Sequence, residues 1–262
     1  MAVNLQAMLD APIIELDTID STNNYAMRLI DADTALSGMT IIARSQEQGK
    51  GQHGKHWFDE PGSCLLMSII IAPNCKLDSQ FAFNAAVAVA IADVLTDIYE
   101  HWKVNIKWPN DIIIGDKKAG GVLIENVVRG SNWAYSVIGI GLNVLQTEMP
   151  ADVPHATSLK IASGKNLSIL ELRTRLRTKI IQRLSRHIVA ADIMEEYNGY
   201  LYQKEERQQF LEEEQVWEGK IKGAIDSGLL AVMTSEKNIR FLRHGEATWV
   251  WKSSSSKAPV NE

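Results

Sequence analysis

The sequence predicts an α+β fold in which a mixed β-sheet is packed with helices and followed by a small all-β module. Three observations carry that reading. Between residues 104 and 144, strand-like apolar runs succeed one another through hairpin signals, whereas a doubly wound parallel sheet would interleave them with helices. An Ala-rich stretch over 80–102 and an amphipathic stretch starting at Ser168 supply long helices. From 216 to 251, short alternating segments are separated by Asp-Ser-Gly, Glu-Lys-Asn and His-Gly-Glu, the texture of small antiparallel strands.

In chain order, residues 12–17 form a short apolar strand, and the Asp-Ser-Thr-Asn-Asn that follows can accept hydrogen bonds from free helix amides. Ser21 is the expected N-cap of a helix running to about Ile30, with Tyr25, Leu29 and Ile30 at helical spacing. Residues 39–43 give a second strand. From Gln46 to Trp57 the pattern collapses into a polar loop carrying Gly49, Gly51 and Gly54. Residues 64–71 read as a buried strand, and 80–102 as a core helix with Phe81, Ala85, Val89 and Ala92 along one stripe. Strands at 104–108 and 111–114 flank a Pro-Asn turn, Gly115-Asp116 reverses the chain into 121–128, and 133–144 adds another strand. Ser168 and Glu171 form a capping box that opens an amphipathic segment reaching roughly Leu211. The expected division is 1–213 for the main domain, 214–252 for the β module and 253–262 for a disordered tail. So short a module buries little apolar surface alone and is expected to lean on the main domain.

Composition limits the function. With 262 residues, 45% hydrophobic and 23% charged, the chain is globular and neither disordered nor fibrous. A net charge of −5 gives no general hold on nucleic acid, so any anion site must be local. Cys64 and Cys75 fit neither a zinc spacing nor a disulfide framework, which points to reduced thiols and a cytoplasmic location. Residues 1–10 lack a basic leader and the apolar run 64–72 is too short to span a bilayer, so no membrane association is expected.

Two segments could carry chemistry. In the first loop, Gly49, Gly51 and Gly54 alternate with Lys50, Gln52 and Lys55. Such glycines let successive amides turn toward one anion, and the lysines add charge, so a phosphate or an oxyanion is the natural guest; an ordinary flexible turn has the same texture. The spacing is not that of a Walker loop. His53 and His56 lack a nearby third ligand and read as loop polar groups rather than metal ligands. Trp57 is either a stacking platform or the apolar anchor that ends the loop. The second segment is Lys107-Trp108-Pro109-Asn110-Asp111, followed beyond the hairpin by Lys117-Lys118-Ala119-Gly120-Gly121. Gly139 and Gly141, inside the apolar run that ends at Asn143, cost stability unless something needs close backbone approach, which a ligand would explain.

Together and in this order, Asp20 to Asn23, the Gln46 to Trp57 loop, Lys107 to Asp111, Lys118 to Glu125 and Gly139 to Asn143 resemble the biotin protein ligases. The resemblance spans most of the chain. It implies a biotin/lipoate ligase-like catalytic domain with a small SH3-like C-terminal barrel. Because the first strand begins by Pro12, the expectation is a monofunctional enzyme without the winged helix of bifunctional members, and no nucleic-acid partner. Lipoate or octanoate ligation is the nearest rival, and a non-catalytic biotin-binding module is another.

The resemblance implies two half-reactions with biotin, ATP and Mg²⁺ as Mg-ATP. Biotin is adenylated, and its acyl group then passes to a lysine of a biotin carboxyl carrier domain. Lys118, Asp111 and Lys50 are the implied catalytic residues. Ser21, Thr22, Asn23, Gln46, Lys50, Gly51, Gln52 and Lys118 would bind biotin. Lys50, Gln52, Lys55, Trp57, Asn110, Asp111, Lys118, Gly121, Leu123, Gly139, Gly141 and Asn143 would line the adenylate. Asp111 could orient a lysine, hold Mg²⁺ or assist the incoming amine. The commonest form of the loop carries arginines where this chain has Lys50, Gln52 and Lys55, which predicts weaker retention of the adenylate. The protein is expected to be a monomer or a homodimer.

Overall fold

The computed structural model describes residues 4–251, and the expected tail at 253–262 lies outside them. A short helix α1 (Leu5–Leu9) precedes β1 (Ile13–Ile19), α2 (Thr22–Asp31), β2 (Thr40–Gln46), β3 (Cys64–Ile71) and α3 (Gln80–Ile98). Then come β4 (Val104–Lys107), β5 (Asp111–Ile114), β6 (Lys117–Arg129), β7 (Asn132–Asn143), α4 (Leu159–Ser163), α5 (Ile169–Leu184) and α6 (Ala190–Tyr200). Strands β8 (Arg207–Glu212), β9 (Gln215–Ala224), β10 (Leu230–Thr234), β11 (Ile239–Leu242) and β12 (Thr248–Trp249) complete the chain. The main sheet has seven strands in the order β1-β2-β3-β7-β6-β5-β4. Its β1–β2 pair is parallel and the others are antiparallel, giving the mixed sheet expected.

Strand alternation decides which face carries what. Ile69 and Ile71 of β3, with Ile138, Ile140 and Leu142 of β7, join the core formed with α3, α5 and α6. On the opposite face Ile70 and Val137 meet Ala26 and Ile30 of α2, and there the apolar cover stops. The next residues on that face are Ser68, Gly139 and Gly141, so α2 leaves the middle of the sheet open. Helix α3 is long and apolar enough to cross a membrane, which the run at 64–72 is not, but two thirds of its apolar window is buried in this core. Arg177 of α5, buried, donates to the carbonyls of Met8, Leu9, Ala11 and Gly38 and to Thr40 Oγ1, tying α1 and the start of β2 together.

Several expectations need correction. Helix α3 ends at Ile98, not Trp102. Ser21 occupies the N-cap position of α2 but makes no capping bond; the Thr22 amide donates instead to Gln46 Oε1, 2.8 Å away. The amphipathic segment after Ser168 is two helices followed by a strand, so the terminal sheet begins at Arg207, ahead of a boundary at 214. Its Gln-Gln-Phe-Leu-Glu favours helix by composition, but Glu213 and Glu214, both at positive φ, close a two-residue hairpin with β9. The usual Asn-Gly or Asp-Gly signal is missing there. Helices α1 and α4 carry no periodicity long enough to read from sequence.

The five-stranded terminal sheet, in the order β11-β10-β9-β8-β12, leans on the main domain as expected. Phe210, Ile221, Leu230, Val232, Leu242 and Trp249 belong to the same buried cluster as α3 and α6. Polar contacts fix the seam: Trp108 Nε1 donates to the Gly228 carbonyl at 3.1 Å, and Asn198 bonds both the amide and the carbonyl of Ala224.

Candidate active site

The open face of the sheet is the floor of a cavity of about 240 Å³, roofed by the Gln46 to Trp57 loop and closed by the start of α2 and the turn between β4 and β5. Two of its glycines are also crowded by protein side chains. A Cβ on Gly139 would lie 2.3 Å from Asn23 Oδ1, and one on Gly141 would lie 2.7 Å from the Trp57 ring. Close approach is needed by protein side chains that shape the cavity.

At one end the polar groups are neutral and held in place. Asn23 Nδ2 donates to Glu125 Oε2 at 2.7 Å, and its Oδ1 lies 2.6 Å from Ser68 Oγ. Ser68 Oγ is also 2.7 Å from Thr22 Oγ1, so its one proton serves two acceptors in turn. The amide and hydroxyl of Thr22 both donate to Gln46 Oε1. Ser21 and Gln46 line the cavity, and a guest could use the Ser21 hydroxyl as donor or acceptor and the Gln46 amide nitrogen as donor.

The other end is cationic. Lys118 Nζ lies 2.6 Å from Asp111 Oδ1, with the two side chains 35% and 23% exposed, so water screens the pair only in part. Asp111 is set by the β5–β6 register opposite Gly121, and Asn110 donates its side-chain amide to the Val122 carbonyl. The backbone of Lys118 is itself pinned, donating to the His155 carbonyl at 2.7 Å and accepting from Thr157 at 2.8 Å. Tyr197, fully buried and with its phenol pushed well above the usual range by that burial, donates to the Pro109 carbonyl at 2.9 Å.

The loop is a narrow ribbon: Lys50 pairs with His56, the Gly51 amide donates to Lys55, and the Trp57 amide donates to Gly49. Lys50 reaches across the cavity mouth to Glu125 at 3.5 Å. The Trp57 ring lies on Gly141, 6.0 Å from Lys118 Nζ, so it is both anchor and wall; its buried indole N–H has no partner among the described residues.

Every site residue expected from sequence lines this cavity except Asn143. Asn143 donates to the Thr157 carbonyl at 3.1 Å and lines an adjoining cavity of about 760 Å³ beneath residues 146–156. Sequence reasoning missed Lys107, Trp108 and His244 as lining residues. Lys107 and Trp108 stood inside a motif already singled out; His244 arrives from the terminal sheet and left no local signal.

The model of the biotin/lipoate A/B protein ligase family matches residues 15–143, the segment that builds the floor, the loop and both lysine-bearing turns. The match covers just under half of the chain. The chain is 35% identical over 165 residues to the bifunctional ligase/repressor BirA of Bacillus spizizenii, covering 59% of this chain and 48% of that protein. It is 27% identical over 169 residues to the biotin--[acetyl-CoA-carboxylase] ligase of Mycobacterium tuberculosis, covering 62% and 61%. The chain thus spans about half the length of the first of these relatives. In fold it is similar to the biotin protein ligase of Aquifex aeolicus solved with biotin and ATP, with a TM-score of 0.76 at 24% identity over 92% of this chain and 99% of that one.

Proposed function

We propose that this protein belongs to that family and is a biotin protein ligase. It activates biotin with ATP as biotinyl-5'-AMP, releases pyrophosphate, and transfers the biotinyl group to one lysine of a biotin carboxyl carrier domain. The observation that carries this reading is the polarity of the cavity. A neutral head end built from Ser21, Thr22, Asn23 and Gln46 faces a cationic end built around Lys118. A ureido ring has donors and acceptors for the head end, and its carboxylate tail reaches the lysine. A dithiolane or an alkyl chain would leave buried polar groups unpaired, which disfavours lipoate and octanoate.

In the first step a biotin carboxylate oxygen attacks the α-phosphorus, and the bond from that phosphorus to the pyrophosphate oxygen breaks. Two anions approach each other, so a preorganised cation between them lowers the barrier; Lys118, oriented by Asp111, fills that role. In the second step the acceptor amine attacks the acyl carbon and AMP leaves. The amine has an ordinary pKa of about 10.4, so its proton needs an acceptor, and Asp111, beside Lys118, is the carboxylate that takes this role. Trp57 and Asn143 flank the nucleoside. Magnesium enters with the phosphates of ATP as part of the substrate. Asp111 is engaged by Lys118, and the described residues contain no cluster of acidic, His or Cys side chains suited to a resident ion.

The net charge of −5 supports a ligase without repressor function, and the unpaired Cys64 and Cys75 support a cytoplasmic setting. The test is ATP–pyrophosphate exchange with biotin, lipoate and octanoate offered separately. Exchange with biotin alone is expected. Exchange with lipoate or octanoate would move the protein to that branch, and tight biotin binding without exchange would make it a binding module.

A further inference from the structure

On the ligase reading Trp57 and Asn143 flank the nucleoside, and both line the cavity of about 760 Å³ beneath residues 146–156. What that cavity can recognise depends on which polar atoms of its wall are still unpaired. Asn143 is nearly spent. The Thr157 carbonyl can only accept, so the Asn143 amide nitrogen, 3.1 Å away, faces it and the Asn143 oxygen faces the other way. That oxygen accepts from Gln146 Nε2 at 3.3 Å and lies 3.8 Å from the Cys64 thiol.

The same constraint passes on to Gln146. Its nitrogen must face the Asn143 oxygen, and its other hydrogen meets Cys64 Sγ at 2.8 Å. Turning the amide over would set two oxygens against each other. Burial pushes the Cys64 thiol up to about 11, so it keeps its proton, which Asn143 Oδ1 accepts. The backbone is held as well, since the Ser158 hydroxyl donates to the Gln146 carbonyl at 2.6 Å. What is left is Gln146 Oε1, an acceptor with no partner among the described residues, on a residue only 6% exposed.

A buried acceptor is costly until a guest completes it. Trp57 Nε1, the orphan donor already noted, belongs to the same cavity wall. That wall therefore asks its guest for one donor and one acceptor. Adenine offers both, an exocyclic amine and ring nitrogens. Hypoxanthine carries a carbonyl where adenine has its amine, and would set oxygen against oxygen.

Resting on the ligase reading, we infer that Gln146 reads the base of the nucleotide: its Oε1 accepts from the exocyclic amine of adenine and so selects ATP from nucleotides that lack that amine. Asn143 and Cys64 are positioning residues, which fix the direction in which the Gln146 amide points.

The experiment is calorimetric titration of the wild-type protein with ATP and with purine riboside 5'-triphosphate, which carries hydrogen in place of the amine. Wild type should bind ATP about tenfold more tightly than the analogue. In Gln146→Met that ratio should fall to within about twofold of unity, because the acceptor is gone. Equal binding of the two by wild type would overturn the assignment, and so would a Gln146→Met protein that weakens both and keeps the ratio, as a merely structural role would give. If Gln146→Met fails to fold, Gln146→Asn keeps an amide but draws its oxygen back by one carbon, and the ratio should collapse in the same way. Biotin-dependent pyrophosphate exchange is run alongside. Discrimination without exchange would sink the ligase reading and keep the base reader; exchange without discrimination would sink the base reader alone.

Discussion

The floor of the cavity and the loop above it are built on opposite principles. On the floor, Thr22, Asn23 and Ser68 are at most 4% exposed and bonded to one another and to neighbouring strands, and glycines give the side chains room. In the loop, Lys50, Lys55 and His56 are exposed, and one 3.5 Å ion pair, Lys50 to Glu125, ties its cations to the sheet. A network of short bonds in a poorly solvated place is rigid and rejects a head group that cannot match it. Exposed cations on a glycine ribbon adapt, and gain strength only when a ligand excludes water. On the proposed reading, recognition therefore belongs to the sheet and retention to the loop.

Lys118 tests that division most severely, because it is a cation mounted on the framework. Lys118→Ala should lower the rate of adenylate formation about 100- to 1000-fold. Its melting should stay near that of wild type, since a partly exposed ion pair contributes at most about 1 kcal/mol. Pyrophosphate exchange and thermal unfolding measure the two. Near-native exchange would transfer the catalytic charge to the loop lysines and dissolve the distinction.

Gly141→Val attacks the floor itself. The new side chain must displace the Trp57 ring, and the strain should cost about 1–3 kcal/mol of stability, with a matching fall in biotin affinity. Calorimetric unfolding and biotin titration would show it. An unchanged melt would mean that the floor yields as readily as the loop.

The two regions also differ in how legible they were in the sequence. The loop announced itself, because three glycines among lysines are a local pattern, and so did the Lys-Trp-Pro-Asn-Asp turn. Floor residues Ser68 and Glu125 did not, since each acts through partners dozens of positions away: Ser68 Oγ to Asn23, and Glu125 to Asn23 and Lys50. The side chains that crowd Gly139 and Gly141 were hidden for the same reason, as only the folded sheet shows which of them approach. Period-2 alternation in Gln208 and Phe210 is too short to outweigh helix-favouring composition, so β8 was hidden until its partner was seen.

Gln52→Arg strengthens the loop alone. An added guanidinium above the cavity can grip a phosphate bidentately, and the off-rate of biotinyl-5'-AMP should fall about tenfold, with biotin affinity and melting unchanged. Stopped-flow displacement of the preformed adenylate would measure it, and an off-rate indifferent to the substitution would take retention away from the loop.

The smallest effect should come from Glu125→Gln, which separates the regions at a residue that bonds to both. The glutamine oxygen can still accept from Asn23, so the floor keeps its bond, while the pair with Lys50 is lost. With side chains 41% and 32% exposed, that pair contributes no more than about 0.5 kcal/mol, and the melt should barely move. Amide exchange over residues 49–55 should nevertheless quicken, because the ribbon has lost its ion-pair tie to the sheet while β3 and β7 retain their bonds. If exchange in β7 rises along with that in the loop, Glu125 holds the floor as well, and recognition and retention are coupled through it.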